Sequence, residues 1–348
     1  MRVLILLLVS FYIAGCEELH DTDAKTNTYL DRVKQKDPVD QFNLGVIYEQ
    51  GNGVIQDYRQ AIYWYRKAAE QGHADAQLNL GVMLDEGRGV PQDDTEAVYW
   101  YRKAAEQENA IGQNNLGVMY EEGTGISQDY IQSVYWYRKA AEQGYAKGQN
   151  NLGVMYFEGK GVPQFDTQAF YWFRKAAEQG DRKSQNMLGF MYDKGRGVSK
   201  DDTKAIDWYR KSAEQGYALG QSNLGFMYFQ GRGVPQDDGK AEYWFRKGAE
   251  LGNATAQNNL GFMYYEGRSV LQDYMQAAYW FRKGAEQGEA LAQSNLGFMY
   301  EEGKGVSQDD RKAVYWYRKA TEQGHTIAQS NLERMYQNGR CDSIDLHY

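Results

Sequence analysis

QNNLGVMYEEGTGISQDYIQSVYWYRKAAEQG, residues 113–144, decides the fold, because close copies of it follow one another at a fixed spacing. Its tryptophan is one of eight, and all eight stand 36 residues apart: Trp64, Trp100, Trp136, Trp172, Trp208, Trp244, Trp280 and Trp316. A fixed period of this length marks a repeat protein, whose unit is one supersecondary module unable to bury its apolar face alone. Within the unit, Leu116, Met119 and Tyr120 fall at i, i+3 and i+4, the spacing of one helical face. Gly123 and Gly125 stop that helix, since glycine is the default left-handed cap. Asp129, with Gln132 three residues on, predicts a capping box for a second helix, and Asp57/Gln60, Asp93/Glu96 and Asp273/Gln276 repeat the pair. In the second helix Ala97, Trp100, Tyr101, Ala104 and Ala105 share a face, the alanines allowing close approach while the indole fills the gap. Gly144 ends it.

Each copy therefore reads as two antiparallel helices. The expected fold is all-α, an α/α solenoid of eight 36-residue two-helix repeats plus a C-terminal capping helix, spanning residues 38–339 and followed by a tail at 340–348. In the incomplete ninth copy Leu332 and Met335 keep the buried pattern, but Glu333 and Arg334 make the outer side polar, as a terminal cap requires.

The unit resembles the Sel-1-like repeat, a relative of the tetratricopeptide repeat. The segments L-G-x-M-Y, G-x-G-V-x-Q-D and W-Y-R-K-A-A-E-Q-G carry the resemblance; the 34-residue period and inter-repeat proline of a tetratricopeptide array are absent. Three departures predict local adjustment. Glu108 replaces the glycine ending a second helix, Ser269 replaces a loop glycine, and Phe165 replaces a capping aspartate, with Asp166 available beside it. The resemblance implies a non-catalytic adaptor of the bacterial envelope, active in assembly, signalling or host contact, that binds a protein or peptide along its surface. Hydrolase activity has been claimed for disulfide-stapled members, but this chain lacks their repeat cysteines.

The first residues differ from the rest. Arg2 precedes an apolar run from Val3 to Leu8, extended through Phe11 and Ile13, too short to span a bilayer and suited to a secretion signal. It closes on Ile13-Ala14-Gly15-Cys16, which resembles a bacterial lipobox. Residues 1–15 are thus expected to be a signal peptide, Cys16 the lipidated anchor, and residues 16–37 a polar tether. The protein is then exported and held by its lipid to the inner or outer membrane. Cys341, the only other cysteine, has no partner to staple.

A net charge of −8 over 348 residues argues against nucleic acid, which demands clustered, uncompensated cations. The four histidines are scattered, and no Cys/His cluster has metal-ligand spacing. No cofactor or metal is expected, and no nucleophile is placed with a base. Gln41 to Gln329, three residues before the LG leucine in all nine copies, implies a structural hydrogen bond, since a single active site would appear once.

Function is expected where repeats differ or where apolar residues face away from the core. The residue two after the LG leucine is Val46, Val82, Val118 and Val154 in the first four repeats, then Phe190, Phe226, Phe262 and Phe298. Phe157, Phe229 and Tyr265 lie on the same side, with Asn114, Asn150, Asn186 and Asn258 as nearby polar groups. In related helical repeats the first helices line the concave surface, so these residues form an expected partner-binding groove; packing between neighbouring first helices is the competing explanation. A second surface is the ladder Tyr63, Tyr99, Tyr135, Tyr171, Tyr243, Tyr279 and Tyr315, interrupted by Asp207. Its competing roles are coverage of apolar stems and contact with glycan or peptidoglycan.

Overall fold

The computed structural model describes residues 37–340. Among them are seventeen α-helices and no strand, beginning with the pair Pro38–Gln50 and Tyr58–Glu70 and ending with the unpaired Thr326–Gln337. The eight hairpins and the last helix make the α/α repeat fold read from the sequence. The chain divides into two compact units. One runs to Gly148 and includes Lys160–Val162; the other holds Gln149–Gly159 and the residues from Pro163 onward.

The same local devices recur from hairpin to hairpin. The first helix ends on a left-handed glycine, such as Gly123 at φ 74. Asp129 then caps the second helix by accepting from the Ile131 and Gln132 N–H groups at 2.9 and 3.0 Å. Its own N–H donates back to the Tyr120 carbonyl at 2.9 Å. The reciprocal half of the expected capping box is therefore replaced by a backbone bond that clamps the two helices of the hairpin together. Where Phe165 takes the capping position, the backbone bond to Tyr156 persists at 2.9 Å but no side chain caps the helix. Asp166 does not substitute as a cap: it begins the helix, and its carboxylate takes Arg196 at 2.6 Å.

The deepest side chain is the aromatic residue after each tryptophan. Tyr65, Tyr137, Phe173 and Tyr317 are fully buried, whereas among the tryptophans only Trp100 reaches the core and the others stay half-buried. The reason lies opposite. The ring of Tyr209 rests on the LG glycine of its hairpin, so a Cβ on Gly189 would stand 2.5 Å from the ring. The glycine makes the slot, and the indole covers its edge.

Successive hairpins within each unit are joined by a glutamine ladder. The LG-proximal glutamine donates to the carbonyl ending the preceding second helix, as Gln77 does to Ala69 at 3.0 Å. It also accepts from the glutamine ending its own second helix; seven such rungs run from Gln71–Gln41 to Gln323–Gln293 at 2.7–2.8 Å. One rung is missing. Leu251 stands where the donor belongs, 58% exposed, and the buried Oε1 of Gln221 has no partner. A buried acceptor left unmade costs more than a made bond gains. Leu251→Gln is therefore expected to stabilise the protein by about 1 kcal/mol. The denaturant midpoint tests this; an unchanged midpoint would deny the rung any net worth.

Candidate functional site

The second unit carries the aromatic stripe. Phe226 and Phe262 are 40% and 36% exposed, and Phe190 and Phe298 are half-buried. Three of these rings meet a ring of the preceding repeat edge-on: Phe157–Phe190, Phe229–Phe262 and Tyr265–Phe298, with centroids 6.0–6.1 Å apart. These side chains pack between neighbouring first helices and still keep an open face. Phe157, Phe229 and Tyr265 are less free. Arg196 lies 3.8 Å from the Phe157 centroid, Arg268 4.1 Å from Phe229, and Lys304 5.0 Å from Tyr265, each cation coming from the next repeat's loop. They support the stripe more than they present it.

The four asparagines do not serve as open groove groups. Asn114, Asn150, Asn186 and Asn258 are all buried. In the second unit Asn150 donates to Ser184 Oγ at 2.7 Å, while Asn186 and Asn258 accept from Asn223 and Asn295 at 2.9 Å. They tie one first helix to the next.

An apolar cleft of about 220 Å³ opens between the last first helices. Phe262, Tyr265, Phe298 and Ile327 line it, with Asn295 and Asn331 as polar groups. Leu219, Leu291 and Ile327, each near the start of its helix, are 38%, 47% and 62% exposed. Sequence reasoning missed them, although Leu219 and Leu291 precede Phe226 and Phe298 by seven residues, two helical turns on the same side.

A pairing rule runs beneath the stripe. Where the first helix carries an acid, the facing second helix carries tyrosine: Glu49/Tyr65, Asp85/Tyr101, Glu121/Tyr137, Asp193/Tyr209 and Glu301/Tyr317. Where it carries an aromatic residue, the partner is phenylalanine: Phe157/Phe173, Phe229/Phe245 and Tyr265/Phe281. The chemistry is direct. Tyr137 Oη donates to Glu121 at 2.6 Å and Tyr101 Oη to Asp85 at 3.1 Å, so a buried hydroxyl is never stranded against a ring. Burial, then the bonded carboxylate, raises the Tyr65 and Tyr137 hydroxyls well above the ordinary tyrosine value. These acids serve packing by satisfying the buried hydroxyls.

The tyrosine ladder is exposed at 40–51% along its whole length. Each ring stands edge-on to the following tryptophan at 4.8–5.0 Å. Asp207, the exception, pairs with Arg210 at 3.0 Å. The scattered histidines at the repeat junctions also have a structural role: His73 and His325 cap first helices through Nδ1, at 3.2 and 3.1 Å. Among the described residues no group of three acidic, histidine or cysteine side chains is arranged to hold a metal. Nor is any described helix long and apolar enough to cross a membrane. Cys16, with the expected leader and tether, and Cys341 lie outside the described residues.

Comparison with known proteins places the chain. A protective antigen present in uropathogenic Escherichia coli strains is 43% identical, with a TM-score of 0.76, covering 90% of this chain and 67% of that one. A Sel1 repeat protein from Oxalobacter formigenes is 33% identical with a TM-score of 0.65, covering 96% of this chain and 97% of that one. The search of curated proteins returns no match. Proteins built from Sel1 repeats are in general non-catalytic scaffolds for protein interaction. The Sel1 repeat model matches eight times in tandem, from 38–73 to 290–325, and the chain belongs to that family.

Proposed function

We propose that this protein is a non-catalytic scaffold of a bacterial envelope, anchored by lipid on Cys16, that holds an apolar segment of a partner protein on the first-helix stripe of its second unit. The observation that carries the reading is the open cleft lined by Phe262, Tyr265, Phe298 and Ile327, continued by the exposed ring of Phe226. Exposed aromatic anchors beside amide groups suit a partner helix or extended peptide, since such side chains supply most of the energy at interfaces. The three first helices Ala218–Gln230, Ala254–Glu266 and Ala290–Glu302 carry no lysine or arginine, and their acids lie only in the last turn. An uncharged partner segment therefore meets no repulsion there. Export is supported by the leader-like residues 1–16 and by the description of the Escherichia coli relative as a protective antigen.

Replacing Phe226 and Phe262 together by serine is expected to lower partner capture from envelope extracts at least tenfold, while helical circular dichroism stays unchanged. Tyr63→Ser serves as the control and leaves capture intact. Equal capture by all three proteins would remove the groove.

A further inference from the structure

Seven of the eight second helices are followed by a left-handed glycine, at φ 73–92, but the second is followed by Glu108 at φ 62. An L side chain is strained in this conformation, because its Cβ crowds the following carbonyl oxygen. At Gly72 and Gly144, the equivalent positions on either side, a Cβ would meet nothing within 4 Å. The glutamate is thus strained but unobstructed, and its carboxylate stands at a cleft.

That cleft, of about 470 Å³, lies between the second helices Asp94–Glu106 and Tyr130–Glu142 of the first unit. One wall is aromatic: Tyr135 meets Trp136 edge-on at 4.9 Å and 82°. Three carboxylates, Glu106, Glu108 and Glu142, share the lining with the single cation Lys139, a balance of −2 from −3 and +1. The Lys139 ammonium is 5.9 Å from the Tyr135 centroid. A cleft of about 510 Å³ one repeat earlier has Tyr99, Trp100 and Lys103 but only Glu70 and Glu106, a balance of −1 from −2 and +1. Glu106 lines both. Glu108 is what distinguishes the second.

We propose that the cleft at Tyr135, Trp136 and Glu108 binds an arginine side chain from a basic segment of a partner protein. A planar guanidinium stacks on an aromatic wall and spreads several N–H donors in one plane, so it satisfies more than one carboxylate at once. An ammonium offers a compact, strongly hydrated charge and gains less from the wall. The shared Glu106 lets a second basic residue occupy the neighbouring cleft. The chain's net charge of −8 favours approach of a basic partner over the whole surface. This site sits on second helices and uses none of the residues of the aromatic stripe.

The test is calorimetric titration of the full chain with acetylated hexa-arginine amide and hexa-lysine amide at matched salt. Hexa-arginine is expected to bind at least fivefold more tightly than hexa-lysine. Glu108→Gly, which restores the residue found in the other seven repeats, is expected to weaken hexa-arginine at least fivefold while the melting temperature holds or rises. Glu214→Gln removes one exposed carboxylate elsewhere and is expected to change affinity less than twofold. Equal binding of the two peptides, equal loss in the two variants, or no binding to the full chain would each overturn the proposal.

Discussion

Gly305→Ala is expected to destabilise the protein by about 2–5 kcal/mol, whereas Gly288→Ala costs only about 1–2 kcal/mol. Both glycines are left-handed, at φ 67 and φ 90, so both substitutions carry the backbone strain of an L residue. Their surroundings differ. A Cβ on Gly288 meets nothing within 4 Å, while one on Gly305 would stand 1.9 Å from the Tyr274 carbonyl oxygen and 2.7 Å from the Met275 nitrogen. Those are backbone atoms at the start of the helix Tyr274–Glu286, and they cannot swing aside as a side chain would. The loop of one hairpin must lift off the helix start of the hairpin before it, and overpacking of this kind adds about 1–3 kcal/mol. Ser269 shows how the chain tolerates a departure at the same loop position: it lies at φ 62 beside Gly239, where the other repeats carry a larger residue. Urea unfolding of the two variants measures the difference directly. Equal destabilisation would mean that strain alone governs these loops and that the close approach carries no energy.

Much of this architecture is written in the repeat. The tryptophan spacing, the paired loop glycines and the aspartate before seven of the eight second helices are local signals, and each leads to the right element. The depth of the core was one residue out. Trp136 and Tyr137 are neighbours on a helix, roughly 100° apart, and the sequence pattern places both near the buried face. Only the glycine slot opposite decides that Tyr137 goes to the bottom and the indole to the edge. The acid–tyrosine and aromatic–phenylalanine pairing was also present in the sequence. Its members are 16 residues apart, however, and nothing local links Glu121 to Tyr137 until the hairpin closes. The groove residues divide for the same reason. Exposure of Phe226 follows from its place opposite Leu224, but the cover over Phe229 comes from Arg268 in the next repeat. Contacts between repeats are where a reading confined to one helix runs out.

Glu301→Ala is expected to cost about 3 kcal/mol and to loosen the last helix selectively. Glu301 is 1% exposed, the most buried of the carboxylates that face tyrosine. It accepts from Tyr317 Oη at 2.9 Å, from Arg334 at 2.9 Å and from Arg340 at 3.1 Å. Arg334 lies in the last turn of the helix Thr326–Gln337 and Arg340 just beyond it, so one carboxylate fastens the C-terminal end of an element that, among the described residues, has no second helix packed on its outer side. Removing it strands the fully buried Tyr317 hydroxyl. The two arginines are 47% and 26% exposed and can turn to water, which keeps the loss near the low end of the 3–5 kcal/mol range for broken buried pairs. Asp310 is the matched control. It holds the same Arg340 at 2.5 Å, but at 32% exposure, and Asp310→Ala should cost less than about 1 kcal/mol. Glu301→Gln keeps an acceptor for Tyr317 and falls between the two. Hydrogen exchange reads the location: amides of Thr326–Gln337 lose protection in Glu301→Ala while the preceding hairpins keep theirs. If that helix stayed as protected as in the parent chain, its hold on the array would have to come from Met335 and the apolar seam alone.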